Sequence, residues 1–316
     1  MKAIVTGAAG FIGSHLSEYL VQAGHTVLGV DVFTDYYARE RKEQNLAAVR
    51  RADRFTLIET ALADADWPRL LDDVTWVFHL AAQAGVRKSW GRDFHVYTVN
   101  NVEGTQALLE ACKGQPIERL VYASSSSVYG DDVPLPMRED ARPQPVSPYG
   151  VTKLSAEQLC HLYYVNYGVP TVSVRYFTVY GPRQRPDMGF HKFFLAAMHN
   201  QPIPVFGDGR QTRDFTFVSD AVAATASASK RGTPGAVYNI GGGSRVELLD
   251  VFELIGRITG RPLRLNMIEP QAGDMRDTYA DTARARADLA FAPAVTLDQG
   301  LRAQFQWMTE AGLFNT

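Results

Sequence analysis

Tyr149 and Lys153 are the residues of this 316-residue chain whose types and spacing most directly indicate chemistry. They lie in the segment SPYGVTK, residues 147–153, in which Pro148 suits the first position of a helix and Ser147 suits its cap. Positions four apart share one face of a helix, so we expect the ammonium of Lys153 near the phenol of Tyr149. A nearby cation favours the phenolate, and a tyrosine base working near neutrality needs its pKa lowered from about 10 to about 7. The pair therefore predicts a general base, although this spacing more often marks only a solvated helix face.

A glycine-rich turn near the start of the chain predicts a binding site for a dinucleotide. The segment GAAGFIG, residues 7–13, follows an apolar run and opens a helical pattern, with glycines at Gly7, Gly10 and Gly13. Glycines allow a tight turn, and the helix N-terminus offers free N–H groups to a pyrophosphate. Asp31 ends the next apolar run, near the spacing expected for an acid that accepts from the adenosine ribose hydroxyls. Because this carboxylate would repel a 2′-phosphate and no arginine follows it immediately, we expect NAD rather than NADP.

Four consecutive serines, Ser124 to Ser127, follow the fifth apolar run and precede the segment VYG, residues 128–130. In open α/β sheets, ligands bind at the carboxyl ends of the strands. A hydroxyl at this place can hydrogen-bond a substrate oxygen beside the tyrosine, or it can cap backbone groups of a polar loop. The serine run therefore predicts a third part of the same site.

These three segments need a framework that brings them together. Short apolar, β-branched runs at residues 3–6, 26–30, 55–59, 75–80, 119–123 and 171–177 are typical of buried parallel strands. Helical patterns lie between most of them, including residues 11–23, 94–111 and 148–167. Alternation of this kind predicts an α/β fold with a doubly wound parallel sheet of the Rossmann type.

Proline and glycine become more frequent after Tyr180, and the strand–helix alternation weakens there. We therefore predict two domains. The NAD-binding domain comprises residues 1–178 and a returning strand–helix segment at about 214–240. A smaller C-terminal α/β domain, which binds the substrate, comprises about 179–213 and 241–316.

The composition is that of an ordinary globular protein, and it excludes several classes. Lys and Arg total 32 against 34 for Asp and Glu, so the net charge of −2 gives no sign of a nucleic-acid or acidic-membrane partner. No apolar run approaches the roughly 20 residues of a membrane span, and no targeting segment is visible, so we expect a cytoplasmic protein. The 2 cysteines lack CxxC spacing, and no cluster of ligands predicts a metal.

Taken in order, these motifs resemble those of the extended short-chain dehydrogenase/reductases, in particular their nucleotide-sugar epimerase and dehydratase branch. The resemblance starts from the glycine turn, the serine run and Tyr149-x-x-x-Lys153. It continues over nearly the whole chain through the segments HLAAQ (79–83), RYFTVYGP (175–182), RDF (213–215) and YNIGGG (238–243). Residues 241–243 lack the Lys-Ser/Thr sequel of a phosphate loop, and we interpret them as an interdomain turn.

The resemblance implies a tightly held NAD, a UDP-sugar in the cleft between the domains, and a homodimer packed through the helices at 94–111 and 148–167. It assigns the catalytic Ser/Thr position of the family to Ser125, beside Tyr149 and Lys153. Ala61 departs from the Asp that many relatives carry beside the adenine. The positions assigned to the coenzyme are Gly7, Gly10, Phe11, Ile12, Gly13, Asp31, Leu62, Ala81, Ala82, Gln83, Asn100, Ser124, Tyr149, Lys153 and Tyr176.

The chemistry that the resemblance implies begins with Tyr149 taking the proton of the sugar 4-hydroxyl while a hydride passes from C4 to NAD⁺, which leaves a transient 4-keto sugar. Dehydratases of the family usually carry an Asp-Glu pair in the serine loop, and relatives that decarboxylate UDP-glucuronate usually carry a Glu. Ser126 and Ser127 stand there instead, and neither can shuttle protons near neutral pH. This favours a simple epimerase, in which the ketone turns over and receives the hydride on its other face.

The substrate is predicted from finer similarities. The run YFTVYGPRQRPDM, residues 176–188, together with FTDYY (33–37) and AGVR (84–87), resembles UDP-glucuronate 4-epimerases, whereas UDP-galactose/glucose 4-epimerases commonly have Asn in place of Thr178. A carboxylate needs hydroxyl donors and a guanidinium, which Ser126, Ser127, Thr178 and Arg185 can provide. Because the 4-keto form is a β-keto acid that loses CO₂ readily, its carboxylate must be held out of alignment with the ketone. A UDP-glucose/galactose 4-epimerase and a UDP-glucuronate decarboxylase remain the alternatives.

The resemblance also indicates how the UDP half is bound. Arg213 and Arg276 are candidate diphosphate clamps, because a planar guanidinium suits phosphate oxygens. Phe206 is expected against the uracil with Val205 as its neighbour, and Asp274 is expected on a ribose hydroxyl. Each of these residues can alternatively be a structural ion pair or a core side chain.

Arg87, in the AGVR segment, is a further candidate for substrate binding. A rival of another class is a non-catalytic NAD-binding sensor or scaffold. Proteins of that kind tend to lose the tyrosine or the lysine, and this chain keeps both.

Overall fold

The structure is a computed structural model that describes residues 1–315. Its strands are β1 (Lys2–Thr6), β2 (Thr26–Asp31), β3 (Phe55–Glu59), β4 (Trp76–His79), β5 (Arg119–Ser125), β6 (Thr171–Tyr176), β7 (Val179–Tyr180), β8 (Pro202–Phe206), β9 (Thr212–Asp214), β10 (Thr216–Phe217), β11 (Val237–Ile240), β12 (Arg245–Glu247) and β13 (Arg264–Ile268). Its helices are α1 (Phe11–Gln22), α2 (Arg39–Leu46), α3 (Trp67–Leu70), α4 (Phe94–Tyr97), α5 (Gly104–Cys112), α6 (Pro148–Tyr167), α7 (Gly189–Met198), α8 (Val218–Arg231), α9 (Leu248–Thr259), α10 (Ala283–Leu289) and α11 (Leu297–Glu310).

The central element is a 7-stranded sheet in the order β11-β6-β5-β4-β1-β2-β3, with every neighbouring pair parallel. The strand order reverses between β1 and β4, and such a switch point opens a crevice at the carboxyl ends of the strands. The doubly wound parallel sheet predicted from the alternating apolar runs is confirmed. Each of the six predicted strands begins and ends within two residues of its expected bounds.

Two apolar layers, one on each face, hold this sheet between helices. In β1, Ala3 and Val5 belong to one buried cluster, while Ile4 between them belongs to the other. The first cluster includes Leu16 of α1, and the second includes Leu109 of α5. Successive side chains of a strand point to opposite faces, so an uninterrupted apolar run is what a sheet covered on both faces requires.

The helix expected over residues 94–111 is helical throughout but not regular. A π-helical stretch over Thr98–Glu103 separates α4 from α5. It contains the buried Asn101, whose amide donates to the Gln83 carbonyl oxygen at 3.0 Å and to the Thr152 hydroxyl at 2.9 Å. The Gln83 N–H donates in turn to the Asn101 side-chain oxygen at 2.7 Å. Wide turns of this kind are frequent at functional sites, and here the turn connects the loop after β4 to α6.

Beyond β6 the chain forms small two-stranded pairs: β7 with β10, β9 with β12, and β8 with β13. A separate apolar cluster, which includes Phe194, Ile255 and Leu301, lies among α7, α9 and α11. β11 returns to the large sheet and pairs with β6. The division of the chain into two domains at the predicted bounds stays a proposal, and these pairings support it. Within residues 1–315, no helix has both the length and the apolar character needed to cross a membrane.

Candidate active site

A cavity of about 520 Å³ opens at the carboxyl ends of the central strands. Its walls come from the turns that follow β1, β2, β3 and β4, from the end of β5, and from the first turn of α6. All of the positions that the resemblance assigns to the coenzyme line this one cavity. Their roles in binding stay a proposal, but they share one continuous surface.

The glycine turn is packed so closely against neighbouring backbone that no larger residue fits at Gly7 or Gly13. Gly7 has a φ of +70°, and a Cβ placed on it would lie 2.8 Å from the backbone nitrogen of Ala81. A Cβ on Gly13 would overlap the carbonyl oxygen of Gly7. Gly10 caps α1, and its N–H donates to the Gly7 carbonyl oxygen at 3.0 Å. The exposed turn and the N-terminus of α1 fit a pyrophosphate, because the N–H groups and the helix dipole both favour an anion.

Asp31 lies at the end of β2 with its carboxylate fixed by the backbone. The N–H of Ala9 donates to one carboxylate oxygen at 3.0 Å, and the N–H of Phe33 donates to the other at 2.8 Å. A carboxylate oxygen can accept more than one hydrogen bond, so both remain able to accept from ribose hydroxyls. Lys42 also lines the cavity, but its ammonium donates to the carbonyl and the hydroxyl oxygen of Thr34 at 2.7 and 3.2 Å. The residues present therefore fit a dinucleotide with free ribose hydroxyls.

Tyr149 lies one residue inside the N-terminus of α6. Pro148 occupies the first helical turn, and the Ser147 hydroxyl accepts from the Gly150 N–H at 3.1 Å, so the predicted cap is confirmed. Burial raises the pKa of the Tyr149 phenol, while the Arg185 charge and a hydrogen bond from Ser125 oppose that rise. This differs from our expectation that Lys153 sets the acidity of the phenol.

The environment of Lys153 accounts for this difference, because burial disfavours the positive charge that would lower the pKa of Tyr149. Lys153 is buried, and burial lowers the pKa of its ammonium to about 7, although Cys160 and Glu157 oppose that change. The ammonium nitrogen lies 4.5 Å from the centroid of the Tyr122 ring, a favourable cation–π arrangement. Lys153 lines the cavity one helical turn beyond Tyr149.

A buried ion pair behind these residues was not predicted. Arg175 of β6 donates to the Glu157 carboxylate at 2.6 and 3.0 Å, and both side chains are almost fully buried. Ser124 donates its hydroxyl to the same carboxylate at 2.6 Å. Glu157 follows Lys153 at the next i+4 position of α6, a spacing that was available as a signal. Its partner Arg175 comes from strand β6, so no signal in the sequence indicated the pairing of the two residues.

The serine run has three different environments. The Ser125 hydroxyl accepts from the Ser127 N–H at 3.1 Å and is near enough to the Tyr149 phenol to oppose the rise in its pKa. Ser126 is buried and Ser127 is half-buried. Thr178 lies between β6 and β7, where its carbonyl oxygen accepts from the Thr216 N–H at 3.0 Å.

Arg185 is the one member of the predicted sugar- and UDP-binding set that also lines the cavity. It lies in the loop between β7 and α7, and Asp187 holds its guanidinium through two hydrogen bonds of 2.9 Å. Although burial opposes it, this partner raises the pKa of Arg185. A tyrosine from the loop after β2, Tyr36, donates to the same carboxylate at 3.1 Å. Neither Asp187 nor Tyr36 was singled out from the sequence.

The residues predicted for UDP lie together outside that lining and largely pair with one another. Arg87 donates to Asp274 at 2.6 Å, and its guanidinium carbon lies 3.9 Å from the centroid of the Phe206 ring. Arg213 donates to the carbonyl oxygens of Met275 and Arg276 at 2.6 and 2.8 Å.

Two further members of the UDP set face other surroundings. Arg276 forms an exposed pair with Asp208 at 3.1 Å. The side chain of Val205 is buried with Ile203 and Phe252, so contact from Val205 would have to come through its backbone.

The described residues contain no group of three or more His, Cys, Asp or Glu side chains placed to hold a metal ion. His79, at the end of β4, lies between the hydroxyl groups of Thr6 and Thr105 at 2.8 and 2.9 Å. Burial lowers the pKa of His79 to about 3, so this histidine is neutral at physiological pH and acts as a structural residue.

Comparison with known proteins gives one consistent result. Residues 3–241 match the NAD dependent epimerase/dehydratase family. The chain is 45% identical over 311 residues to a Bacillus subtilis (strain 168) protein named as an uncharacterized UDP-glucose epimerase, with 98% of each chain covered. It is 35% identical over 312 residues to the UDP-glucuronate 4-epimerase of Thermodesulfobacterium geofontis (strain OPF15), covering 97% of this chain and 96% of the relative.

Among solved structures, the chain is similar to the UDP-glucuronic acid 4-epimerase of Bacillus cereus in complex with UDP-glucuronic acid and NAD. The TM-score is 0.96 at 42% identity, with 98% of this chain and 100% of that chain covered. The match extends over both the large sheet and the smaller strand pairs. The chain therefore belongs to the NAD-dependent epimerase/dehydratase family.

Proposed function

We propose that this protein is a nucleotide-sugar 4-epimerase that uses NAD to invert C4 of UDP-glucuronate, giving UDP-galacturonate through a transient 4-keto sugar without decarboxylation. The observation that carries the proposal is the position of Tyr149. Its phenol lines the same cavity as Arg185. Both Arg185 and Ser125 oppose the rise in its pKa, and the other walls of the cavity fit a dinucleotide. The similarity to the Bacillus cereus enzyme in complex with UDP-glucuronic acid and NAD supports the same assignment.

Tyr149 is the general base that takes the proton from the sugar 4-hydroxyl. Burial raises the pKa of its phenol, so the phenolate needs compensating positive charge. Arg185 supplies part of that charge, and Ser125 supplies a hydrogen bond. Bound NAD⁺ would supply the oxidising power, since its positively charged nicotinamide accepts a hydride from C4 and returns it to the opposite face. Lys153 and Asp31 would hold the two ribose units of the coenzyme.

Ser126, Ser127, Thr178 and Arg185 would hold the C5 carboxylate of the sugar. Three hydroxyl donors and one guanidinium can fix both oxygens of a carboxylate in one plane. That constraint protects the substrate, because a β-keto acid loses CO₂ when its carboxylate bond aligns with the ketone π system. Arg87, Arg213 and Arg276, with Phe206 and Asp274, would bind the UDP half.

The test is product analysis with purified protein, NAD and UDP-glucuronate. We expect UDP-galacturonate as the main product by anion-exchange chromatography, with Tyr149→Phe as the inactive control. Wild-type protein no faster than Tyr149→Phe would favour a non-catalytic NAD-binding protein. Release of CO₂ with a UDP-pentose as the main product would instead identify a decarboxylase.

A UDP-glucose/UDP-galactose 4-epimerase is the second candidate, because the Bacillus subtilis relative carries a UDP-glucose epimerase name. The two candidates differ in kcat/KM for UDP-glucuronate against UDP-glucose. If UDP-glucose is converted at least as efficiently as UDP-glucuronate, the acid-binding role of the four residues above fails.

We also propose that two copies of the chain pack through α6 and the helical segment over residues 94–111. On α6, Leu162 is exposed at 50% and Val165 at 62%, and these two residues, three positions apart, share one face of the helix. Val96 of the other segment is exposed at 43%. Exposed apolar side chains grouped on one helix face mark an interaction surface. We expect a dimer mass by light scattering for wild type and for the control Leu265→Glu, an exposed leucine on β13. Leu162→Glu should give a monomer, and a dimer of Leu162→Glu would exclude this face. A cytoplasmic location stays a prediction.

A further inference from the structure

We propose that Tyr36 and Asp187 are positioning residues that hold Arg185 at the wall of the cavity, and that they thereby set the preference for a sugar that carries a carboxylate. We call these three residues the clasp. The inference rests on the proposed function, in which Arg185 is the cationic partner of the substrate carboxylate. Neither Tyr36 nor Asp187 needs to touch the substrate.

The first part of the clasp is the bidentate ion pair between Asp187 and Arg185. Nε and Nη2 of the guanidinium donate to the two carboxylate oxygens, each at 2.9 Å. The two side chains are only 20% and 25% exposed, so the pair is better protected from water than an ordinary surface ion pair. This two-point contact fixes the plane of the guanidinium and directs its remaining Nη1 edge away from Asp187.

The ion pair with Asp187 alone would not fix Arg185 relative to the rest of the site, because Asp187 lies only two residues further along the same loop. Tyr36 connects this pair to another part of the chain. It comes from the connection between β2 and α2, far away in sequence, and its hydroxyl donates to an oxygen of Asp187 at 3.1 Å. Burial, and then the Asp187 charge, raise the pKa of Tyr36, so its phenol remains a hydrogen-bond donor at neutral pH.

Contacts from the loop after β4 fix the position of the Tyr36 side chain. Gly85 has a φ of +103°, and a Cβ on it would overlap the Tyr36 hydroxyl. The Lys88 ammonium lies 5.0 Å from the centroid of the Tyr36 ring. Tyr97 donates its hydroxyl to the Gly85 carbonyl oxygen at 2.7 Å, and its ring packs edge-on against Tyr149 at 6.3 Å. The loop after β4 thus packs against the Tyr36 phenol, and through Tyr97 it is also in contact with Tyr149, the proposed general base.

The clasp also joins the two halves of the cavity. Tyr36 belongs to the segment that begins with Asp31, whose carboxylate accepts from the Phe33 N–H at 2.8 Å. The residue expected to bind the adenosine ribose and the residue that holds Asp187 are therefore parts of one short loop. Removing the Tyr36 hydroxyl would let the Arg185–Asp187 pair move with its own loop. Affinity would fall most for a ligand whose carboxylate needs the guanidinium in one place.

The test compares ligands with and without a carboxylate in the NAD-loaded protein. Dissociation constants for UDP-glucuronate and UDP-glucose are measured by calorimetry in a Tyr149→Phe background, which prevents turnover. Adding Tyr36→Phe should weaken UDP-glucuronate binding about 10-fold, the effect of losing one hydrogen bond to a charged group. UDP-glucose binding should change by less than about 3-fold. In the catalytically intact chain, Tyr36→Phe should also increase the fraction of UDP-pentose formed from UDP-glucuronate.

Tyr238→Phe is the matched control, because its hydroxyl makes the same kind of bond, to Asp288 at 3.0 Å, in a strand away from the cavity. We expect it to leave the ratio of the two dissociation constants unchanged. Asp187→Asn is the second variant and keeps the shape of the side chain. It should weaken UDP-glucuronate binding at least as much as Tyr36→Phe, with the same selectivity.

Equal weakening of both ligands by Tyr36→Phe would overturn the clasp, as would unchanged UDP-glucuronate binding in both variants. These outcomes are distinct from failure of the proposed function, which wild-type protein decides. If wild type does not epimerise UDP-glucuronate, the proposed function fails. If it does and the variants show no selectivity, only the clasp is refuted.

Discussion

The end of this site that we propose binds the coenzyme (the coenzyme end) and the end that we propose binds UDP (the UDP end) are built in different ways. At the coenzyme end, backbone groups do most of the positioning. The glycine turn closes tightly on its own backbone, and two N–H groups fix Asp31, all within the first two strands and one helix. At the UDP end, charged side chains from distant segments meet, such as Arg87 and Asp274, which are 187 residues apart. One end is encoded locally, and the other depends on how the whole chain folds.

The ends also differ in what their charged groups contact. Arg87, Arg213 and Arg276 already have protein partners, namely Asp274, three backbone carbonyl oxygens and Asp208. A diphosphate bound at these residues would therefore compete with these contacts. At the exposed Arg276–Asp208 pair the existing contact is weak, because water screens exposed ion pairs. We infer that UDP binding rearranges side chains, whereas coenzyme binding uses a surface that is already formed.

The largest effect is expected where the two ends meet, at Tyr149. Tyr149→Phe removes the phenol oxygen that we propose takes the sugar proton, so the epimerisation rate should fall about 10²–10⁴-fold. NAD should stay bound, because the glycine turn is untouched. The measurements are single-turnover rates and NAD released on denaturation. Tyr167→Phe, an exposed tyrosine on the same helix, is the control. A loss of less than tenfold in Tyr149→Phe would remove this residue as the base.

At the UDP end, Arg213→Ala should raise KM for the nucleotide sugar about 10–100-fold with a smaller change in kcat, the cost of losing charge-assisted hydrogen bonds. Arg213→Lys should lie between, because an ammonium cannot reproduce the planar fork. The exposed neighbour Arg210 provides the control Arg210→Ala. Unchanged KM in Arg213→Ala would show that this arginine serves only the backbone carbonyls that it contacts.

At the coenzyme end, Gly13→Ala should weaken NAD binding about 10-fold, because its methyl group would overlap the Gly7 carbonyl oxygen and force the turn apart. Binding of UDP alone should be little affected. Gly256→Ala tests the same substitution within α9, where a Cβ meets only an ordinary contact at 3.5 Å. If Gly13→Ala binds NAD normally, the coenzyme end is not fixed by its backbone, and the contrast between the two ends disappears.

The smallest effect concerns the buried pair of Glu157 and Arg175. Glu157→Gln removes a charge that raises the pKa of Lys153, which burial has brought to about 7. The ammonium form is lost as pH rises through this pKa, so lowering it should move the alkaline limb of kcat/KM down by about 1 pH unit or less. His79, with a pKa of about 3, also faces Lys153 and does not titrate in this range. The exposed Glu253→Gln is the control, and an unmoved limb in Glu157→Gln would contradict the role.

Sequence reasoning reached the coenzyme end because its signals are local. A strand, a glycine turn, a helix and Asp31 follow one another within about thirty residues, and helical spacing places Tyr149 and Lys153 together. It could not reach Asp187, Tyr36 or Arg175, since each acts through a partner on another element. It also could not give the acidity of Tyr149, because burial sets the pKa values of both Tyr149 and Lys153, and burial is a property of the assembled fold.

The π-helical stretch over Thr98–Glu103 was missed for a related reason. Periodicity shows which face of a helix is apolar, but it does not show where the hydrogen-bond pattern widens. The buried Asn101 bonds at both ends of its amide to Gln83 and reaches Thr152 of α6. Such a contact is visible only when the loop after β4 and α6 are placed side by side.

The position of β11 has a consequence for synthesis of the protein. This strand is the outermost partner of β6, yet it comes from residues Val237–Ile240, long after the other six strands have emerged. A chain still attached to the ribosome before that point has an open edge along β6, with backbone N–H and C=O groups available to other strands. A truncation that stops short of Ile240 should therefore aggregate rather than yield a smaller NAD-binding protein.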